Sequence, residues 1–275
     1  MNTTSPNIRI NVDPSNPGQF FACCGLLELA DRLWPGAEGW FEERQFCMSS
    51  RGTLLELLSI MIMDPPTEIT RLECNSLEVK PIVAPLAFSF DGGATTAITL
   101  DAWMKIQCVK GVPSAIANPP WNFWSGQQTS LSIWLGLREK LAGQLVRLNA
   151  DDFENLFSMR LFQKGRFGFD PGPAWNALDV GFSPNEQGFE VESSPAVELL
   201  AAVGLQRFRP VMGNDRESFE YLTWRIPLSP SVAAVAMCGG LGDTSLVRFR
   251  GCLVSRGQYA ALGFSYPVSK GNSHE

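Results

Sequence analysis

The stretch 118–126 concentrates aromatic and amide side chains beside two prolines, a composition that predicts a loop. Trp121 and Trp124 could stack on nucleic-acid bases, and Asn122 could hydrogen-bond to base edges. In the alternative interpretation, the aromatic rings anchor the loop onto the protein core. We take Trp121, Asn122 and Trp124 as candidate nucleic-acid-binding residues.

A second stretch, residues 164–169, combines basic, glycine and aromatic residues in the order Lys-Gly-Arg-Phe-Gly-Phe. Lys164 and Arg166 could hold a phosphate backbone while the neighbouring rings stack on bases. Charged residues that flank a glycine are rarely buried, so we expect both side chains to be exposed. Replacing both with alanine should then weaken nucleic-acid binding and leave the fold intact.

Arginine is concentrated between residues 205 and 256, where seven Arg stand against four acidic residues. Arg binds phosphates through two parallel hydrogen bonds and stacks on planar groups. The alternative is that these side chains form ordinary ion pairs on solvated strand faces. Four of them complete the set of candidate nucleic-acid-binding residues: Arg207, Arg209, Arg248 and Arg250.

Charge is unevenly distributed along the 275 residues, whose net charge is −6. Residues 1–100 contain 6 basic and 12 acidic residues, whereas residues 101–275 contain 16 of each. The negative total argues against a protein that coats nucleic acid with its whole surface. The asymmetry favours one side that faces nucleic acid.

The chain has one histidine, His274, next to the last residue. Residues at a chain end rarely hold a catalytic group in place. Ser-His-Asp triads, Cys-His pairs and His-ligated zinc sites all need an imidazole, so these classes are excluded. The seven cysteines include no C-x-x-C spacing, and we expect reduced, buried thiols. We therefore predict no catalytic residue, no metal site and no cofactor.

A glycine-rich stretch, residues 239–244, allows two interpretations. Its backbone amides could bind an anion, as successive amides do in other glycine-rich loops. The commoner structure for such a stretch is a tight connection, here before the strand that we predict from residue 245.

The first fifty residues predict a strand followed by a capped helix. Residues 7–13 alternate between apolar and polar, the pattern of a half-buried strand. Asn16 is a favourable N-cap and Pro17 suits the first helical turn, so we predict a helix that ends at Leu33. Gly25 inside it costs about 1 kcal/mol relative to Ala. A close neighbour on that helix face would explain the glycine.

The same kind of unit recurs later in the chain. Ser194 and Pro195 predict the start of a second helix, which ends at Leu205. The two strand-loop-helix units could pack together in one pseudo-symmetric core, or they could resemble each other by chance.

The remaining pattern predicts an α+β fold with mixed or antiparallel sheets, strand-loop-helix units and a helical insertion near 127–162. The insertion would comprise helices over 127–148 and 151–162. A single strand is predicted over 40–48, a short helix over 54–63 and further strands between 221 and 266. We divide the chain into an acidic α+β part, 1–112, and an Arg-weighted part with the insertion, 113–275. One continuous domain is the alternative.

The sequence predicts a soluble, cytoplasmic protein. Its first residues lack the basic and apolar regions of a signal peptide. The longest mildly apolar stretch, 232–242, is too short to span a bilayer.

Two segments carry a family resemblance: NPGQFFACCGLLELADRLW at 16–34 and VELLAAVGLQRFRP at 197–210. Together they resemble the third member of the Csb group of CRISPR-associated proteins. That family is the short large subunit, of the Cas-eight kind, of type I-G (formerly I-U) systems. The chain length also fits, so the resemblance would cover the whole chain. The motifs name no catalytic residue.

The resemblance implies a non-catalytic large subunit of Cascade, the RNA-guided complex of antiviral defence. Such a subunit binds target DNA near the 5′ end of the CRISPR RNA and recognises the protospacer-adjacent motif (PAM). It also helps to recruit the helicase-nuclease, while base pairing of the guide reads the target. Its partners would be CRISPR RNA, target DNA, the other Cascade subunits and the helicase-nuclease, with no membrane. The alternatives are a metal-independent endoribonuclease that processes the guide RNA and a scaffold that contacts only protein.

Overall fold

The protein is described from a computed structural model. The structure describes residues 5–63, 69–71, 86–88, 98–100, 104–109, 112–117, 130–163, 165–171, 191–215, 217–242, 246–256 and 259–268. The strands are β1 (Ile8–Asn11), β2 (Glu38–Glu42), β3 (Gln45–Ser49), β4 (Ile69–Arg71), β5 (Leu86–Phe88), β6 (Ile98–Leu100), β7 (Met104–Val109), β8 (Val112–Ala117), β9 (Leu161–Gln163), β10 (Val191–Ser193), β11 (Val211–Met212), β12 (Ser218–Thr223), β13 (Val247–Arg256), β14 (Tyr259–Leu262) and β15 (Tyr266–Val268). The α-helices are α1 (Pro17–Leu33), α2 (Leu54–Ile62), α3 (Ser130–Leu145), α4 (Pro195–Gly204) and α5 (Pro230–Met237), and a 3₁₀ helix spans Ala150–Ser158.

The predicted α+β class is confirmed, and every described strand pair is antiparallel. A three-stranded sheet has the order β1-β3-β2, and a five-stranded sheet has the order β11-β12-β13-β14 with β15 on β13. Of the smaller sheets, one has three strands in the order β4-β5-β6, and two are pairs, β9 with β10 and β7 with β8. The two larger sheets meet where the Trp224 indole donates to the carbonyl of Gly39 at 2.6 Å.

Helix α1 begins as its sequence predicts. The Asn16 side chain accepts a hydrogen bond from the amide of Gln19 at 3.2 Å, and Pro17 occupies the first turn. Such a cap contributes about 1 kcal/mol. Helix α4 begins in the same way, with Ser194 as N-cap and Pro195 after it.

Helices α1 and α4 cross at two glycines. A Cβ on Gly25 would lie 1.8 Å from the carbonyl oxygen of Leu200, and one on Gly204 would lie 2.2 Å from that of Phe21. No other residue can occupy either position without moving a helix. The close neighbour predicted for Gly25 is therefore confirmed, and it is the second strand-loop-helix unit.

The main core lies between this helix pair and the sheets. Phe20 on α1 stacks on Tyr221 of β12, with ring centroids 4.2 Å apart, and on Phe41 of β2 at 5.5 Å. The Tyr221 hydroxyl donates to the carbonyl of Pro14 at 2.7 Å. One buried cluster extends from Ile8 to Leu262, so residues from both predicted parts of the chain share a core.

Two predicted elements differ in the structure, and one helix was not predicted. Residues 40–48 form not one strand but the hairpin β2–β3, because the chain reverses at Glu43, whose φ is 51°. Of the insertion near 127–162, residues 150–158 are 3₁₀ helix and residues 161–163 form β9, so the second helix ends earlier than predicted. Helix α5 was not predicted, because its alanines and valines lack a helical period.

Within the described residues, no helix is both long and apolar enough to cross a membrane. The boundary between 112 and 113 falls inside β8, and the division of the chain there stays a prediction.

Candidate nucleic-acid interface

The structure describes five of the nine candidate nucleic-acid-binding residues. Lys164, Trp121, Asn122 and Trp124 lie outside the described residues, and their roles stay predictions. The other five are found in three separate places: Arg166 in a loop, Arg207 and Arg209 after α4, and Arg248 and Arg250 on β13.

The segment around Arg166 is part of the core, which corrects the prediction of exposed aromatic rings there. Phe167 and Phe169 are fully buried and stack on each other, with centroids 5.6 Å apart. A Cβ on Gly18 would lie 2.4 Å from the carbonyl of Phe169, so this loop packs directly against the first turn of α1. These two rings are not available to stack on bases.

A buried carboxylate on α4 holds this loop in place. Glu198 accepts hydrogen bonds from three successive backbone amides: those of Gly168 at 2.9 Å, Phe169 at 3.4 Å and Asp170 at 3.1 Å. Burial raises the pKa of Glu198, although the charge of Arg166 acts in the opposite direction. The loop conformation thus depends on an acidic residue about thirty positions away.

Arg166 is only partly exposed, so the expectation of an exposed side chain is wrong. Its Nη1 atom is buried and makes no hydrogen bond. Burial lowers the pKa of this guanidinium, and the nearby carboxylates Glu198 and Asp170 partly offset the effect. Removing Arg166 would therefore leave two buried acids without its charge, and an Arg166→Ala change is expected to disturb the fold.

Arg207 forms ion pairs with an acid from the other end of the chain. Its guanidinium donates through Nε and Nη2 to both carboxylate oxygens of buried Glu28, and through Nη1 to Ser231 on α5. Arg32 donates to the same carboxylate at 2.7 Å. The bidentate pair joins α1 to the segment after α4, and the hydrogen bond to Ser231 extends this link to α5. These contacts match the ion-pair alternative.

Arg209 is exposed, and its backbone carbonyl accepts a hydrogen bond from the Cys238 thiol at 3.4 Å. Among the described residues no ion pair involves its guanidinium. Its role in binding nucleic acid stays a prediction.

Arg248 and Arg250 project from the outer face of the five-stranded sheet. Phe249 between them points to the opposite, core side, because side chains alternate along a strand. Arg248 donates to one oxygen of Glu220 at 2.7 Å and Arg250 to the other at 2.7 Å. The two arginine side chains are 49% and 46% exposed, and that of Glu220 is 15% exposed. Two positive charges thus share one negative charge on an accessible surface.

Burial acts to raise the pKa of Glu220, but the hydrogen bonds from Arg250 and Arg248 outweigh it and lower the pKa overall. The carboxylate therefore stays ionised at neutral pH and orients both guanidinium groups. Arg250 directly faces Glu220 across β12 and β13.

Sequence reasoning missed a tyrosine on this face. Tyr266 of β15 directly faces Arg250 on the other side of β13 and is 53% exposed. The alternation of side chains along β15 gave only a weak signal for the position of Tyr266, because this strand has only three residues. We call Glu220, Arg248, Arg250 and Tyr266 the sheet face.

The glycine-rich stretch begins as the C-terminal end of α5. The amide of Gly239 donates to the carbonyl of Ala236 at 2.8 Å, and that of Gly240 to the carbonyl of Val235 at 3.0 Å. Gly239 and Gly242 have positive φ, as residues after a helix often do. The described part of this stretch is a tight connection.

Among the described residues, no group of three or more His, Cys, Asp or Glu side chains is placed to hold a metal ion. The sheet face can bind an anion through free guanidinium N–H groups and can offer an aromatic ring. No protein-family model matches the chain, and no curated protein matches it.

Proposed function

We propose that this chain is a non-catalytic, nucleic-acid-binding large subunit of a type I CRISPR RNA-guided complex. Its role is to bind target DNA near the 5′ end of the guide RNA, to recognise the adjacent motif and to help recruit the helicase-nuclease. This is a cytoplasmic role in antiviral defence. The proposal rests on the resemblance of residues 16–34 and 197–210 to that family.

One structural observation carries the nucleic-acid part of the proposal. Arg248 and Arg250 lie side by side on an accessible surface and share the carboxylate of Glu220, which gives these three residues one net positive charge. Guanidinium groups bind phosphate oxygens, and a pre-oriented pair loses less side-chain entropy on binding. Because the rest of the chain carries a net negative charge, we expect contact with nucleic acid to be confined to the sheet face.

The endoribonuclease alternative finds less support in the described residues. Tyr221, one of three tyrosines, is buried, and its hydroxyl donates to a backbone carbonyl. Burial raises the pKa of Tyr221, which makes it a poor general base. A second tyrosine, Tyr266, is exposed beside Arg250, where it can contact nucleic acid.

The proposal is tested by reconstituting a type I-G complex with and without this chain. We expect the chain to copurify with the guide-bound complex, and its omission to abolish adjacent-motif-dependent binding of target DNA in a fluorescence anisotropy assay. A target with a scrambled adjacent motif is the control. Failure to copurify, or equal binding without the chain, would contradict the proposal. Specific cleavage of repeat RNA by the purified chain would favour the endoribonuclease instead.

A further inference from the structure

We propose that the sheet face is a binding site for single-stranded nucleic acid, in which Tyr266 stacks on an unpaired base and Arg248 and Arg250 hold the adjoining phosphates. This inference rests on the proposed function and names its ligand class and site. It depends on four residues that strand register places together.

The strand register puts the key side chains in one row. Val211, Glu220, Arg250 and Tyr266 face one another across β11, β12, β13 and β15. Neighbouring strands lie about 4.8 Å apart, so the row is about 14 Å long. Arg248 lies two residues from Arg250 on the same face, beside the row.

The charge of the sheet face fits a phosphodiester. Glu220 neutralises one arginine, and each phosphodiester of a bound strand carries one negative charge that can match the other. Arg248 uses Nη1 for Glu220, whereas Arg250 uses Nε and Nη2 for Glu220 and also hydrogen-bonds to Tyr266. A guanidinium has five N–H groups, so each of the two keeps further donors. Because Glu220 already orients both groups, a phosphate meets donors that are in position.

Tyr266 is what favours a single strand over a duplex. Its half-exposed ring is adjacent to Arg250, and stacking needs a base with a free face. In a duplex, each base is already covered by its neighbours, so the ring has no base face to contact. A face that used the arginines alone would not discriminate between the two forms.

The test measures binding of the full-length isolated chain to fluorescent oligothymidine, oligouridine and a mixed-sequence duplex at low ionic strength. We expect tighter binding of a single strand, DNA or RNA, than of the duplex; the two single-stranded probes show which sugar is preferred. Duplex binding that equals or exceeds both single strands overturns the inference, as does the absence of single-strand binding.

Four variants separate the contributions of the residues. Tyr266→Ala should weaken single-strand binding about fivefold or more, whereas Tyr266→Phe should retain it, because stacking needs only the ring. Arg248→Ala with Arg250→Ala should reduce the slope of log affinity against log salt by about 0.7, the value for one neutralised phosphate of a single strand, because Glu220 already neutralises one of the two arginines. Glu220→Gln removes a nearby negative charge but keeps an amide oxygen that can still orient one arginine, so binding should tighten about threefold.

Matched controls lie on α3 and in the turn directly after it, neither of which carries a residue of the sheet face. Arg147→Ala and Glu139→Gln change exposed charges of the same kinds and should leave affinity unchanged. Thermal unfolding verifies that each variant is folded. Unchanged affinity of Tyr266→Ala, or of the variant with both Arg248→Ala and Arg250→Ala, overturns the inference.

The two proposals can fail separately. If the sheet-face variants bind single strands normally while the complex still needs this chain, the binding site is wrong and the proposed function stands. If the chain does not join the complex but the variants lose single-strand binding, the site stands and the proposed function is wrong.

Discussion

At the residue scale, the burial of the Glu198 carboxyl is opposed first by the charge of Arg166 and then by hydrogen bonds from backbone amides. We expect Glu198→Gln to destabilise the protein by about 1–3 kcal/mol, although it removes a buried charge. Both carboxylate oxygens accept amide protons, and the glutamine NH₂ would face an N–H donor instead. Urea unfolding measures the change. Glu192→Gln, at an exposed position of β10, is the control and should change stability by less than about 0.5 kcal/mol.

The pH dependence of the same variant has a definite sign. Burial raises the pKa of Glu198 above its ordinary value of 4.5. Its contribution to stability is then fully present below pH 4.5 and is lost as the pH rises through the raised pKa. The stability of the wild type relative to Glu198→Gln should therefore decrease with rising pH over that interval. An increase with pH would show that the three amides and Arg166 outweigh the cost of burial.

At the scale of elements, the α1–α4 crossing should be the least tolerant contact in the fold. Gly25→Ala and Gly204→Ala should each destabilise the protein by about 1–3 kcal/mol or more, because a methyl group would overlap a backbone carbonyl of the facing helix. Gly143→Ala in α3 is the control: nothing lies within 4 Å of its added Cβ. That change should instead stabilise by about 0.5–1 kcal/mol. Equal effects at all three positions would contradict the close crossing.

The predictable elements were those whose signals are local. The caps at Asn16 and Ser194 act within one helical turn, so residue types and spacing sufficed to place α1 and α4. The β2–β3 hairpin was missed because its turn contains Glu43 with positive φ and no glycine or asparagine. The position of a turn that uses an unfavoured residue is decided by the strands that it joins.

The candidate site was predictable only in part, for a related reason. Arg248 and Arg250 alternate with Phe249, so strand periodicity placed both on one face. No residue close to Phe167 in the sequence indicates that its ring is buried. The loop that carries the ring is held in place by Glu198, which is distant in sequence. Glu220 was counted only as a compensating acid, since its position between two arginines follows from strand register.

At the scale of the whole molecule, the charge asymmetry along the sequence is partly neutralised by folding. Glu28, from the acidic first hundred residues, pairs with Arg207 and Arg32. Glu220 comes from the Arg-weighted part itself and neutralises only one of its two neighbours. Glu220, Arg248 and Arg250 together therefore carry one net positive charge, although Asp215 also interacts with Arg250 and the whole chain carries −6.

The shared core leads to a prediction about the two parts, 1–112 and 113–275. We expect the fragment 113–275, expressed alone, to show no cooperative thermal unfolding, whereas the full chain unfolds in one transition. Without the first part, α4 loses the helix that crosses it at Gly204, Tyr221 loses Phe20, and Arg207 loses Glu28. The exposed apolar surface would then favour aggregation or a loosely packed state.

Calorimetry and near-ultraviolet circular dichroism measure this outcome, because fixed aromatic packing gives the near-ultraviolet signal. Coexpression of both fragments is the control: association should restore the transition, since each fragment supplies the buried partners of the other. A cooperative transition of 113–275 by itself would mean that the two parts are separate domains and that the α1–α4 crossing is an interface between them.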